Sequence, residues 1–183
     1  MCKIGILLLD RDFEHDVYEL IKAFYPEGDI HSLYEKDEEE YDIFFTVKKG
    51  NDDFVINFET KDRKGATCAQ IIKGADEKEA SDAHELRKAN KDSLKYALYN
   101  VLVKLTGRTL PWGNLTGIRP AKLAMGMIES GMKNTEIAQV MREHYLVSAK
   151  KTALAITIAN RERALLQDID YEHGYSLYVG IPF

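Results

Sequence analysis

Ile4-Gly5-Ile6-Leu7-Leu8-Leu9, with Phe13, Val17, Leu20, Ile21 and Phe24 after it, is the stretch on which the fold turns. The first six residues form an unbroken apolar run bounded by charge, the pattern of a strand buried on both faces. The five apolar residues that follow recur at helical spacing, with Asp12 placed to cap the helix and Pro26 and Gly28 to end it. Outward from this pair, residues 30–34, 41–47 and 54–58 read as strands. The last of these alternates, Phe54, Ile56 and Phe58 on one side and Val55 and Asn57 on the other. Gly50 and Asn51 mark a hairpin turn before it. The order β-α-β-β-β predicts an α+β fold whose first module has a mostly antiparallel sheet. The acidic run of residues 35–40 reads as a solvated loop between strands, since adjacent carboxylates without a turn-making glycine ligate a cation poorly.

The rest of the chain reads as helical. Leu94, Ala97, Leu98, Val101, Leu102 and Leu105 form one buried stripe of a long helix over 81–106, which Gly107 stops. Tyr96, Tyr99 and Val103 fall off that stripe, either covered by the first module or left as amphipathic surface. Shorter helices are expected near 120–130 and 135–145 and a longer one near 149–167. Pro120 suits the first turn of one, Asn134 or Thr135 caps the next, and Ser148 caps the last. Strand character returns over 176–182. The expected organisation is an acidic α/β module over 1–78, a helical module of about four helices over 79–170, and a linker and strand over 171–183.

With 45% apolar and 30% charged residues and only 4 Pro, the 183-residue chain is neither disordered nor collagenous. Cys2 and Cys68 are too few for a disulfide scaffold or a four-thiolate zinc ribbon. No apolar run is long enough to span a bilayer or form a secretory signal core, so a cytoplasmic protein with no membrane partner is expected. The net charge of −5 divides unevenly: residues 1–60 carry −10 and residues 61–183 carry +5. Two modules facing different partners would explain it, the second suited to an anion; solvated faces that keep the modules apart would too. The five histidines are scattered, and neither cysteine has the neighbours of a nucleophile. No metal site and no catalytic residue is expected in this chain.

Candidate chemistry concentrates in residues 109–120. This stretch holds the only tryptophan, Trp112, and Arg119, with Lys122 just beyond. Backbone amides at a helix start beside Arg119 and Lys122 make an anion site, with Trp112 as a flat apolar wall. The same residues equally describe an ordered connector whose tryptophan fills a gap. A third reading takes the 120–165 helices as a helix-turn-helix DNA reader. Ala138 and Ser148 stand about one helical turn too far apart for it, and the local charge is only modestly basic, so nucleic acid is not an expected partner.

Three segments carry a family resemblance. They are Leu110-Pro111-Trp112-Gly113-Asn114-Leu115-Thr116-Gly117-Ile118-Arg119-Pro120-Ala121-Lys122, then Tyr145-Leu146-Val147-Ser148-Ala149-Lys150, then Ser176-Leu177-Tyr178-Val179-Gly180-Ile181-Pro182-Phe183. Together they resemble the oxygen-independent coproporphyrinogen III oxidase-like radical SAM proteins, most closely the coproporphyrinogen dehydrogenase (HemZ) subgroup. The resemblance covers roughly residues 94–183, with the acidic module as a variable extension. It implies that 176–183 is the first strand of a radical SAM barrel, followed in the family by a CxxxCxxC motif holding a 4Fe–4S cluster. The chain stops at Phe183, where the family places its first cluster cysteine, so a fragment inactive alone is expected, its partner being the remainder of its own barrel. Tyr178 and Gly180 would lie near S-adenosylmethionine; Gly180 stands where many relatives have histidine. The implied parent reaction is oxidative decarboxylation of two propionates of coproporphyrinogen III in heme biosynthesis, by hydrogen abstraction with a 5′-deoxyadenosyl radical. Arg119, Lys122 and Trp112 are then candidate contacts to the anionic tetrapyrrole, in a module that also holds Arg142, Lys150 and Lys151. A non-catalytic tetrapyrrole- or heme-binding module is the alternative.

Overall fold

A computed structural model of the chain describes residues 2–8, 11–35, 39–49, 53–61, 70–73, 83–166, 177, 179 and 180. The apolar run at the start is strand β1 (Lys3–Leu8), and a short 3-10 turn, Arg11–Phe13, leads into helix α1 (Glu14–Phe24). Asp12 lies in that turn, and the residue at the helix boundary is Phe13, with no side-chain cap. Four more strands follow, β2 (Asp29–Leu33), β3 (Ile43–Lys49), β4 (Asp53–Thr60) and β5 (Gln70–Lys73), and the sheet order is β2-β1-β3-β4-β5. Ile4, Ile6 and Leu8 of β1 are buried, as a strand with neighbours on both sides requires.

The sheet is mixed rather than mostly antiparallel. β1 pairs in parallel with both β2 and β3, while β3–β4 and β4–β5 are antiparallel. The first parallel pair follows from α1, because a crossover helix returns the chain to the end of the sheet from which it started. The second follows from residues 34–42, which carry the chain past β1 to its other edge, so the acidic run belongs to a crossover, not a hairpin. Antiparallel pairing begins only after the Gly50-Asn51 turn signal, with Lys49 opposite Phe54 and Val47 opposite Ile56. Strand β5 was not expected from the sequence, since four residues with two adjacent isoleucines show no alternation.

One face of the sheet carries the core. Ile4, Ile6, Phe45, Val47, Phe54 and Ile56 meet Val17, Leu20, Ile21 and Phe24 of α1 there. They also meet Leu94, Ala97, Leu98, Val101 and Leu102 of the long helix α2 (Ala83–Thr106). Tyr99, off the sequence stripe, is buried with its ring 5.4 Å from that of Phe24, edge to face. The other face is crossed by aromatic rings: Tyr41 and Phe44 lie 5.6 Å apart over Gly5. A Cβ on Gly5 would come within 2.6 Å of the Phe44 ring and 2.9 Å of Tyr41.

Helices α3 (Pro120–Glu129), α4 (Asn134–Glu143) and α5 (Ala149–Leu166) form a second core from Ala124, Ile128, Ile137, Met141, Tyr145, Val147, Ala155 and Ala159. The residue at the start of α4 is Lys133, whose backbone N–H is accepted by the Glu136 carboxylate at 2.7 Å. The expected strand at 176–182 lies outside the described residues except for Leu177, Val179 and Gly180, which carry no regular secondary structure. No helix among the described residues is long and apolar enough to cross a membrane.

Gly5→Ala should cost about 1–3 kcal/mol by forcing Phe44 and Tyr41 off their packing. Urea unfolding would read this as a lowered midpoint, and combining the change with Phe44→Leu should recover part of the loss. An unchanged midpoint for Gly5→Ala would show that the rings do not need that gap.

Candidate functional site

Residues 107–119 connect the two cores, and their path is set by glycines at positive φ: Gly107, Gly113 and Gly117. Gly113 is the tightest of them. A Cβ there would lie 2.0 Å from the Tyr145 carbonyl oxygen and 2.5 Å from the Leu146 carbonyl carbon, so no side chain fits. Hydrogen bonds fix the same contact. The Asn114 N–H donates to Tyr145 O at 3.0 Å, the Asn114 amide to His144 O at 3.4 Å, and the Ser148 N–H to Pro111 O at 3.1 Å. Leu146 takes φ 57 on the other side of this contact. Leu110 and Leu146 then reach the sheet core while Trp112 and Leu115 pack on the helical core.

Helix α2 holds this junction with two charged side chains one turn apart. The buried Lys95 ammonium donates to Thr116 O at 3.2 Å and lies 3.7 Å from the Asp16 carboxylate on α1. Burial holds its pKa below the ordinary lysine range, and Asp16 opposes that shift. Asp92 faces the loop between α4 and α5. His144 Nε2 lies 3.9 Å from its carboxylate, and the interaction with Asp92 raises the His144 pKa against a smaller effect of burial. Burial, with Asp92 adding to it, pushes the Tyr145 hydroxyl up to about 12.

The anion candidates fall on the outer side of the helical core. A cleft of about 360 Å³ between α3 and the end of α5 is lined by Arg119, Lys122, Met125, Glu129, Glu162, Arg163 and Leu166. Arg119 occupies the residue before α3 in an extended conformation, and the first turn of α3 carries no acidic residue, so the positive end of the helix dipole is uncompensated there. Three cations against two carboxylates leave the cleft positive, with Met125 and Leu166 as an apolar floor. Such a surface takes up a carboxylate or a phosphate attached to an apolar body. Trp112 is not part of the lining; it is half-buried on the helical core, with the Lys151 ammonium 5.1 Å from its ring centre. Arg142 and Lys150 are exposed and also stand outside the cleft. Gly180 is exposed, and Tyr178 lies outside the described residues. Arg163 was missed in the sequence because Arg161, Glu162 and Arg163 read as an ordinary solvated helix end. Pairing α5 with α3 is what brings it beside Lys122.

Gly113→Ala should lose about 2–5 kcal/mol, the sum of a left-handed backbone and an overpacked contact, whereas Gly117→Ala should lose only about 1–2 kcal/mol. Paired denaturation curves check this, since Gly117 (φ 71) has nothing within 4 Å of its would-be Cβ. His144 gives a pH dependence. Its pKa is raised above 6.5, so its contribution is present below that value and lost as pH rises through the folded-state pKa. Stability measured at pH 5.5 and 8 should show this component in the natural protein and lack it in His144→Gln.

Compared with curated proteins, the chain is 36% identical over 100 residues to the oxygen-independent coproporphyrinogen-III oxidase-like protein HemZ of Bacillus subtilis (strain 168). The match covers 54% of this chain and 20% of HemZ, so it spans about a fifth of that relative's length. It bears out the family resemblance carried by the sequence motifs. No family model matches the chain, and no solved structure matches it at a significant level.

Proposed function

We propose, taking kinship with the oxygen-independent coproporphyrinogen-III oxidase-like family as the premise, that this chain is the N-terminal region of a radical SAM coproporphyrinogen III dehydrogenase. The whole protein would convert two propionate side chains to vinyls by oxidative decarboxylation in heme biosynthesis. The observation that carries this reading is the 36% identity over 100 residues to HemZ.

The contribution of this chain would be to hold the anionic tetrapyrrole, with the remainder of its own barrel as its partner. The substrate has several carboxylates around an apolar macrocycle, and the cleft offers Arg119, Lys122 and Arg163 above Met125 and Leu166. Arg119 and Lys122 would take a propionate, and Arg163 would add a third cation from α5. Trp112, outside the cleft, would support it only through the helical core.

The described residues do not fit a 4Fe–4S cluster. A cluster needs several converging thiolates. The one described thiol, Cys2, packs against the sheet core, where burial and then the Asp42 charge push its pKa up. Cys68 and Tyr178 lie outside the described residues. Cluster chemistry therefore falls to the rest of the polypeptide, and no step of it runs through these residues.

The test uses the protein expressed from its complete natural reading frame. Because the cleft cations are exposed, each contact is worth about 0.2–1 kcal/mol, so the double variant Arg119→Ala/Lys122→Ala should raise KM for coproporphyrinogen III by about two- to thirtyfold. Its kcat should stay within a factor of about two, as loss of uniform binding requires. An unchanged KM would remove both residues from substrate binding, and absence of decarboxylation in the unaltered protein would overturn the reading.

A further inference from the structure

Helix α5 has two apolar sides, and among the described residues only one is covered. Thr152, Ala155 and Ala159 are buried in the helical core, whereas Leu154, Ile158 and Leu165 are 43%, 38% and 78% exposed. At 3.6 residues per turn these three fall within about 40° of one another and about 110° from the buried side. They form a stripe about 16 Å long at 1.5 Å per residue. Their spacing of four and then seven is that of a helix-packing seam, and the missing place in it is taken by Arg161. Burying one such aliphatic side chain is worth about 1.5–3 kcal/mol, so three of them on one stripe make a substantial docking surface.

Two observations bear on its occupant. HemZ extends well beyond the matched residues, which are 20% of its length, so four fifths of that relative lie outside the match. Further along this chain, Leu177 and Val179 are 79% and 70% exposed and carry additional uncovered apolar surface. A second copy of α5 suits the seam poorly. Parallel self-pairing would set Arg161 against Arg161, and antiparallel pairing would bury it against Ile158, each leaving a guanidinium without a carboxylate. A complementary surface is apolar with a carboxylate at its centre.

We propose that this seam is the docking face for the polypeptide that follows residue 183 in the longer protein, through an apolar element bearing a carboxylate opposite Arg161. The inference rests on the reading of the chain as the N-terminal part of a longer protein, and is independent of the reaction that protein catalyses.

The experiment places a benzophenone photo-crosslinker at Ile158 in the protein made from its complete natural reading frame, with the same probe at exposed Thr157 as control. The cross-linked peptides are mapped by mass spectrometry. The expected product joins position 158 to a peptide beyond residue 183 of the same polypeptide, at least about fivefold above the control, and Leu154→Glu should abolish it. A product of doubled mass, a cross-link only within residues 1–166, a yield equal to that at Thr157, or a reading frame that ends at residue 183 would each overturn the proposal. Coproporphyrinogen turnover by the unmodified protein is measured separately, so failure of the assigned reaction and failure of the docking face are distinguished.

Discussion

The backbone of Gly113 lies against the backbone of Tyr145 and Leu146, with room for no Cβ, and the relation between the two cores depends on that contact. Everything after α2 is placed by it. The Asn114 N–H and the Ser148 N–H each bridge the same two segments, so the connector and the α4–α5 loop behave as one layer. From that layer Leu110 and Leu146 point into the sheet core and Trp112 and Leu115 into the helical core. A larger residue at 113 would separate the layer and withdraw apolar anchors from both cores together. This also explains the use of Trp112: its ring fills the helical side of the layer under Lys151, where a ligand contact would leave a gap in the packing.

Charge sets the finer alignment. Lys95 and Asp92 project from the same side of α2, a helix otherwise buried mainly through apolar residues. Lys95 is tied to α1 and to the connector, while Asp92 is tied to the α4–α5 loop. A buried ammonium stabilises little by itself, because its desolvation offsets most of its attraction to Asp16. Its value is directional, since Thr116 O and Asp16 meet it in one register only. Apolar packing holds the two cores together, and this pair of charges determines how one is turned against the other.

Much of the fold was legible in the sequence because it is written in periodicity. The unbroken run at 4–9 identified a strand with neighbours on both sides, and the apolar spacing after Asp12 identified α1. The helix ends at Gly107 and Ser148 followed from capping chemistry. Sheet direction was not legible, because whether a polar stretch such as 35–40 turns back or crosses over depends on where the next strand finds an open edge, which is a tertiary matter. Strand β5 was too short to show a period. In the site, Arg119 and Lys122 were legible because they sit next to each other at a helix start. Arg163 was not, because its partner surface on α3 is about forty residues distant in sequence and is reached only through the packing of Ala155 and Ala159. Trp112 stays open in the sequence between a wall of the site and a plug in the connector, because residue type alone does not say which way a ring points.

Helix α5 joins these points. Its buried side is built from Thr152, Ala155 and Ala159, small residues that let it lie close to its neighbours and keep the rest of its circumference free. The continuation of that buried side toward the end of the helix carries Arg163 and Leu166 to the basic cleft, and a different side carries the Leu154–Ile158–Leu165 seam. Because a helix is rigid over this length, a body seated on the seam would be fixed in distance and angle from the cleft. An anion held by Arg119, Lys122 and Arg163 would then be presented to that body in one orientation. Under the proposed function, this coupling would position the substrate for chemistry performed elsewhere with no moving part, only one helix with two differently used sides.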